Sequence, residues 1–157
     1  FCMKLSEILN AKLIRIPLLQ SNKQDIILEM LDVLVESGKI SDREKVLQSV
    51  LEREQMMSTG IGNSVAIPHG KSSGVEELQV ALGITAQDIN FDALDGKPVR
   101  IIFMLVGPEK ASSLHIKMLS RISRLLNQAP FRKKLTDAQS ADEIMQIISD
   151  EEKLLEG

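Results

Sequence analysis

The chain has 157 residues and a net charge of -3, and 43% of its residues are hydrophobic and 26% charged. This length and composition fit one globular domain spanning 1–157. The acidic balance argues against nucleic acid as a partner, and a single cysteine, Cys2, excludes an intramolecular disulfide and a thiolate metal cluster. The longest apolar run, Ile101 to Val106, is too short for membrane insertion, and no signal segment opens the chain, so we expect a cytoplasmic protein.

Hydrophobic periodicity in the first part of the chain predicts one strand and two helices. The aliphatic run from Leu13 to Leu19 predicts the strand. The first helix is expected from about Asn22 to near Gly38, because apolar residues recur on one face: Ile26, Ile27, Met30, Leu31 and Leu34. The second is expected to begin at Ser41 with a capping box, Ser41-Asp42-Arg43-Glu44, and to carry an apolar stripe: Val46, Val50 and Met57.

Three further strands and two helices are predicted after Met57. A turn-rich segment to Gly70 holds a short strand, Val65 to Ile67. Alternation at Leu78, Val80, Leu82 and Ile84 predicts a strand with one covered face, and the apolar run Val99 to Val106 predicts a central strand covered on both faces. Helices are expected from about Ser112 to Asn127 and from a second capping box at Ser140, with Pro130 closing the segment between them.

Strands interspersed with helices predict an α/β fold. We expect a three-layer sandwich, with a mixed sheet of about five strands flanked by helices on both faces.

The first of the two histidines, His69, lies between Pro68 and Gly70 at the predicted end of a strand. Proline stiffens the approach to this position, and glycine permits close backbone contact after it. The preceding turn, Thr59-Gly60-Ile61-Gly62-Asn63-Ser64, offers N–H groups and side-chain donors that could surround phosphate oxygens. These residues fit a reactive histidine, and they also fit a histidine that caps an exposed turn.

The second histidine and one arginine stand out by their positions in predicted helices. His115 precedes Met118, Leu119 and Ile122 at helical spacing, so it is expected on a buried face. A core histidine bonded to a backbone carbonyl is the better interpretation when it is taken alone. Arg53 falls on the stripe of Val46 and Val50, where it could extend to water or clamp an anion with its planar guanidinium.

Several other sites are excluded by residue type or spacing. Gly70-Lys71-Ser72 resembles the end of a phosphate-binding Walker loop, but Val65 stands where the first glycine is required. The two histidines and Cys2 have no metal-ligand spacing, so no metal site and no cofactor are predicted. Ser64 has no evident base partner for nucleophilic catalysis.

Two longer stretches contain Arg53 and the two histidines. The first runs from Leu51 to Lys71, with Leu51-Glu52-Arg53-Glu54 and Ser58-Thr59-Gly60-Ile61-Gly62-Asn63-Ser64-Val65-Ala66-Ile67-Pro68-His69-Gly70-Lys71. The second is Leu114-His115-Ile116-Lys117-Met118-Leu119-Ser120-Arg121-Ile122. Both resemble the fructose/mannitol-type enzyme IIA family of the bacterial phosphoenolpyruvate-dependent phosphotransferase system. The resemblance covers nearly the whole chain and favours a reactive His69.

The resemblance implies a role for each of these residues. His69 corresponds to the phosphorylated histidine, His115 to a second active-site histidine, and Arg53 to an arginine that approaches the phosphoryl group. Thr59, Gly60, Gly62, Asn63 and Ser64 are expected to contact phosphate. The donor would be the phosphohistidine of the histidine-containing phosphocarrier protein (HPr) or its nitrogen-branch paralogue.

The same resemblance leaves the biological role open between three functions. Asn63 stands where mannitol-type proteins have a glutamate, which agrees better with the fructose and nitrogen-regulatory branches. The segment from Ala138 to Ile148 resembles the nitrogen-regulatory branch. We therefore expect a regulatory phospho-switch. The alternatives are a fructose-type transport protein that passes the phosphoryl group to a IIB domain, and a non-catalytic binding module.

Overall fold

The computed structural model describes residues 4–156, so Cys2 lies outside the described residues. The strands are β1 (Ile14–Leu18), β2 (Gly60–Gly62), β3 (Val65–Ala66), β4 (His69–Lys71), β5 (Gln79–Ile89) and β6 (Val99–Gly107). The helices are α1 (Leu5–Ile8), α2 (Lys23–Glu36), α3 (Arg43–Met56), α4 (Ser112–Leu126), α5 (Ala129–Asp137) and α6 (Ala141–Glu156). These elements form one mixed sheet with helices packed against it.

The sheet has the strand order β1-β5-β6-β3-β2, with β4 also paired to β6. The strands β3 and β4 follow one line along β6, because Ala66 lies opposite Ile102 and His69 opposite Leu105 in the same parallel register. Pro68, which has no N–H to donate, occupies the interruption between them. The predicted mixed sheet is confirmed, and its five positions include this interrupted strand.

Two groups of helices cover the central strands. α2 contacts α3, β1 and β5, whereas α4, α5 and α6 contact one another in sequence, and α4 and α5 also contact β6. The strand β6 is buried from Ile101 to Gly107, which confirms that it is central and covered on both faces. Within residues 4–156 no helix has the length and apolar character needed to cross a bilayer.

The last helix is tied to the first by a buried carboxylate. Glu152, in α6, is 1% exposed and accepts the N–H of Leu5 at 2.7 Å and of Ser6 at 2.9 Å. The guanidinium of Arg121 in α4 donates to the same carboxylate at 2.8 Å. These bonds hold the pKa of Glu152 below its ordinary value, although burial acts to raise it.

Two local sequence predictions about helix ends are wrong. Asp42, not Ser41, caps α3 by accepting the N–H of Lys45, whereas the Ser41 hydroxyl donates to the carbonyl of Gly74. Contrary to the prediction, Pro130 does not end the helical region. It lies in the first turn of the helix α5, where a residue without an N–H is tolerated.

Two predictions about burial are also wrong. β5 is buried at every position from Gln79 to Thr85, so it has two covered faces instead of one. Met57 lies just after the end of α3 and is 58% exposed, so it does not extend the stripe of Val46 and Val50.

Candidate functional site

His69 is the first residue of β4, directly after the interruption at Pro68. Its Nδ1 lies 2.8 Å from the carbonyl oxygen of Ile67. A carbonyl oxygen can only accept a hydrogen bond, so Nδ1 carries the proton and the Nε2 of the neutral ring keeps its lone pair. The side chain is partly exposed, which leaves Nε2 accessible to an electrophile.

His115, in the first turns of α4, faces His69. The centroids of the two rings are 5.6 Å apart, and the ring planes are inclined at 54°. His115 is 3% exposed, and neither of its ring nitrogens has a hydrogen-bond partner among the described residues. The interpretation of His115 as a core histidine bonded to a backbone carbonyl is therefore wrong. Burial first, and then the nearby His69 and Lys71, lower the pKa of His115 to about 4, so the ring is neutral at neutral pH.

Two glycines allow the close packing that brings these groups together. A Cβ on Gly70 would lie 2.2 Å from Ser49 Oγ and 2.9 Å from the backbone nitrogen of Val50, both in α3. A Cβ on Gly107 would lie 3.0 Å from Leu78 Cδ1 and 3.5 Å from His115 Nδ1. Gly70 thus lets α3 approach one side of β4, and Gly107 leaves room for the His115 ring at the end of β6.

Two cationic side chains act on the histidine pair. Arg53, in the last turn of α3, donates from Nη1 to the carbonyl oxygen of Met57 at 2.7 Å. Lys71, two residues beyond His69 on the same side of β4, donates to Ser112 Oγ at 3.3 Å. Burial, together with the charges of Arg53 and Lys71, lowers the pKa of His69 below its ordinary value, while the bond to Ile67 opposes the shift. The site is therefore electropositive around two neutral imidazoles.

The turn that was expected to contact phosphate lies next to the site, but several of its donors already have protein acceptors. The N–H and the hydroxyl of Thr59 both donate to Glu54, and the N–H of Gly60 lies 3.0 Å from Ser58 Oγ. The N–H of Asn63 donates to Asp95 at 3.3 Å.

The rest of the turn is shaped by backbone geometry. Gly62, Asn63 and Ser64 have positive φ angles, and Ser64 Oγ accepts the N–H of Arg100 at 3.1 Å. The phosphate-binding role of the turn stays a prediction.

Sequence reasoning missed Glu54 and Lys71 as members of the site. The carboxylate of Glu54 is buried and accepts from Lys23 Nζ at 2.9 Å as well as from Thr59. A signal was present in the sequence, because Glu54 lies four residues after Val50 on the buried side of α3. Among the described residues no group of three or more histidine, cysteine, aspartate or glutamate side chains could hold a metal ion.

The paired histidines, the cationic surroundings and the mixed sheet agree with a comparison against known families. The family described as "Phosphoenolpyruvate-dependent sugar phosphotransferase system, EIIA 2" matches residues 7–151. The chain belongs to this family. The resemblance stated from the two histidine stretches is confirmed, and with it the expectation of a phosphocarrier of the phosphotransferase system.

Relatives from two branches of the EIIA family are similarly close. The fructose-specific EIIABC component of Bacillus subtilis is 37% identical over 151 residues, which are 96% of this chain and 24% of that protein. The nitrogen regulatory protein of Escherichia coli is 36% identical over 154 residues, which are 96% of this chain and 92% of that protein. The chain thus spans about a quarter of the first relative and most of the second.

Solved structures of EIIA proteins confirm the α/β fold. The nitrogen regulatory protein IIA-Ntr of Neisseria meningitidis superposes with a TM-score of 0.85 at 34% identity, covering 92% of this chain and 98% of that one. Enzyme IIA for mannitol from Escherichia coli, in a complex with phosphorylated enzyme IIB, has a TM-score of 0.79 at 21% identity, covering 90% of this chain and 97% of that chain.

Proposed function

We propose that Nε2 of His69 accepts a phosphoryl group from the phosphohistidine of an HPr-type carrier protein, so that the chain acts as a protein-histidine phosphotransferase component. The hydrogen bond from Nδ1–H to the carbonyl oxygen of Ile67 carries this proposal, because it leaves the lone pair on Nε2, the nitrogen that the bond does not occupy. The lowered pKa of His69 keeps the ring neutral and nucleophilic at neutral pH.

The proposed transfer exchanges one P–N bond for another. The lone pair of His69 Nε2 forms the new bond to phosphorus, while the electron pair of the broken bond returns to the imidazole of the donor. The His69 ring gains positive charge, which the carbonyl dipole of Ile67 stabilises through the retained Nδ1–H. In this proposal the charge spread over the phosphoryl oxygens is stabilised by Arg53, Lys71 and one N–H of His115. The proposal is supported by the charges of Arg53 and Lys71, which add to burial in lowering the pKa of His69, and by the 5.6 Å between the two imidazole centroids.

Exposed apolar side chains next to the site support a protein as the phosphoryl donor. Five of the seven large apolar side chains exposed in the described part of the chain belong to segments around the histidine pair: Met56, Met57, Ile61, Leu94 and Ile116. Leu94 joins this group because its N–H bonds to the carbonyl of Gly60 at 2.9 Å. Apolar groups beside a cationic centre suit a partner that buries surface around its own phosphohistidine.

Of the two branches, we propose the nitrogen-regulatory phospho-switch. The similarity of the structure to IIA-Ntr of Neisseria meningitidis supports this choice, together with the sequence of the segment from Ala138 to Ile148. The fructose-specific relative of Bacillus subtilis favours transport as the second candidate, in which the phosphoryl group passes to a IIB domain. The mannitol IIA protein of Escherichia coli, which has the same fold, was solved in a complex with phosphorylated IIB, and this supports a IIB domain as the partner in the second candidate.

Phosphorylation in a purified system tests the proposal. The chain would be incubated with phosphoenolpyruvate, enzyme I and either HPr or its nitrogen-branch paralogue, and an acid-labile adduct would be sought by intact mass. We expect one phosphoryl group on the wild-type protein, none on His69→Ala, and an adduct that forms more slowly on His115→Ala. No adduct on the wild-type protein with either donor would favour the non-catalytic module.

A second measurement separates the two branches. A phosphorylated chain that loses its phosphoryl group to an added fructose-type IIB protein is a transport component. A chain that keeps it, and whose binding to a target protein depends on the phosphorylation state, is a switch.

A further inference from the structure

We propose that Glu54 is a positioning residue for His69. Through Thr59 and the backbone of Ile67, its buried carboxylate fixes the direction of the His69 ring and the tautomer that leaves Nε2 unprotonated. This inference rests on the proposed phosphoryl transfer to His69 and assigns a role to a residue that does not itself face the phosphoryl group.

A continuous series of hydrogen bonds joins the carboxylate to the imidazole. Glu54 accepts the Thr59 N–H at 2.8 Å with one oxygen and the Thr59 hydroxyl with the other. The carbonyl oxygen of Thr59 accepts the N–H of Ile67 at 3.0 Å. The carbonyl oxygen of Ile67 then accepts the Nδ1–H of His69 at 2.8 Å. A shift of Thr59 therefore moves the one carbonyl that orients the ring.

The charge of Glu54 matters as well as its shape. The residue is 7% exposed, and its carboxylate pairs with Lys23 Nζ at 2.9 Å. Lys23 also lies 5.0 Å from the centroid of the Phe91 ring, which fixes the cation in place. A carboxylate has two accepting oxygens for the two donors of Thr59, whereas an amide has one oxygen and no negative charge, so the Thr59 hydroxyl would have to change from donor to acceptor.

Unlike an ordinary buried ion pair, Glu54 is also connected to the segment that holds His69. It accepts hydrogen bonds from Thr59, which directly precedes β2, and β2 pairs with β3 shortly before His69. The same negative charge acts to raise the pKa of His69, against the larger effect of burial. A residue that only stabilised the fold would leave the tautomer of His69 unchanged after conservative substitution.

Glu54→Gln tests this role, with Glu52→Gln as the matched control. Glu52 lies on the same helix and is exposed, and its carboxylate accepts a bond from Gln48. The readouts are the ¹⁵N chemical shifts of the His69 ring, which report the tautomer without any phosphoryl donor, and the rate of phosphorylation by the carrier protein.

In Glu54→Gln we expect a mixture of the two neutral tautomers and a phosphorylation rate lowered about 10- to 100-fold, since misplacing a reacting group by about 1 Å has an effect of this size. Glu54→Asp keeps the charge and should recover part of both signals. Glu52→Gln should match the wild type in both.

Thr59→Val provides a test that does not depend on the folding of the Gln variant. It removes only the hydroxyl bond, so we expect a smaller change in the same direction. Wild-type tautomer and rate in a folded Glu54→Gln protein would overturn the proposal. If that variant does not fold, wild-type values in both Glu54→Asp and Thr59→Val would overturn it. A wild-type chain that accepts no phosphoryl group would refute the proposed function instead, while the ring shifts would still decide whether Glu54 orients His69.

Discussion

Replacing Gly70 by alanine should separate α3 from β4. The added Cβ would lie 2.2 Å from Ser49 Oγ, 2.9 Å from the nitrogen of Val50 and 3.1 Å from the carbonyl carbon of Ser49. The hydroxyl of Ser49 can rotate away, but the two backbone atoms can move only with the helix. Overpacking of this kind costs about 1–3 kcal/mol of unfolding free energy. Because Arg53 lies one turn further along α3, the retreat of the helix should also slow phosphorylation.

Urea unfolding followed by circular dichroism measures the stability change. Ser49→Ala is the informative companion, because Ser49 Oγ is buried and has no hydrogen-bond partner within residues 4–156, so its removal should be nearly neutral. The double variant should regain part of the stability lost in Gly70→Ala, since only the backbone contacts remain. If Gly70→Ala differs from the wild type by less than about 0.5 kcal/mol, the close packing of α3 on β4 is refuted.

Three further predictions concern the charge of Arg53, the ionisation of His115 and the exposed apolar side chain of Ile61. Arg53→Lys should slow phosphorylation of His69 about 100-fold, because an ammonium keeps the charge but not the planar pair of donors. The contribution of His115 to the free energy of unfolding should fall by about 3 kcal/mol as the pH is lowered from 6.5 to about 4. Burial lowers the pKa of this histidine from 6.5 to about 4 in the folded protein, so the unfolded chain takes up the proton first. His115→Gln should remove this part of the slope. Ile61→Asp should raise the KM for the phosphorylated donor, whereas Leu154→Asp, a change at an exposed position on α6, should not.

Each of these has a clear contrary result. An Arg53→Lys protein that is phosphorylated at the wild-type rate would show that only the charge matters. An unchanged pH slope in His115→Gln would contradict a neutral, buried ring. Equal KM values for the Ile61 and Leu154 variants would place the donor elsewhere on the surface.

Much of the fold could be predicted because a few segments carry strong local signals. The run from Val99 to Val106 is apolar without alternation except at Arg100, and it forms most of the central strand β6. Asn22 precedes the apolar face of α2 and caps it, as expected for a residue that accepts the free N–H of Asp25. By contrast, two of the three residues of β2, Gly60–Gly62, are glycines, so the hairpin that β2 forms with β3 across Asn63 and Ser64 has a weak strand signal in the sequence.

The residue types of the site could be predicted from the sequence, but the hydrogen bonds between them could not. Residue types and the family resemblance indicated Arg53, His69 and His115. The acceptor of the Nδ1–H of His69 is a backbone carbonyl, which has no sequence signature, so the structure was needed to name Ile67. The spacing of Glu54 after Val50 predicts that it lies on the buried side of α3, but spacing does not show that its carboxylate accepts both donors of Thr59.

The interruption at Pro68 makes the number of residues between β3 and β4 as important as their types. The parallel register against β6 resumes after it, with the side chain of His69 towards α4 and Gly70 against α3. Side chains alternate along a strand, so inserting or deleting one residue here would exchange these two directions. The imidazole would then meet the backbone of α3 and lose His115. A length change in this segment is therefore equivalent to deleting the site, even when every residue of the motif is retained.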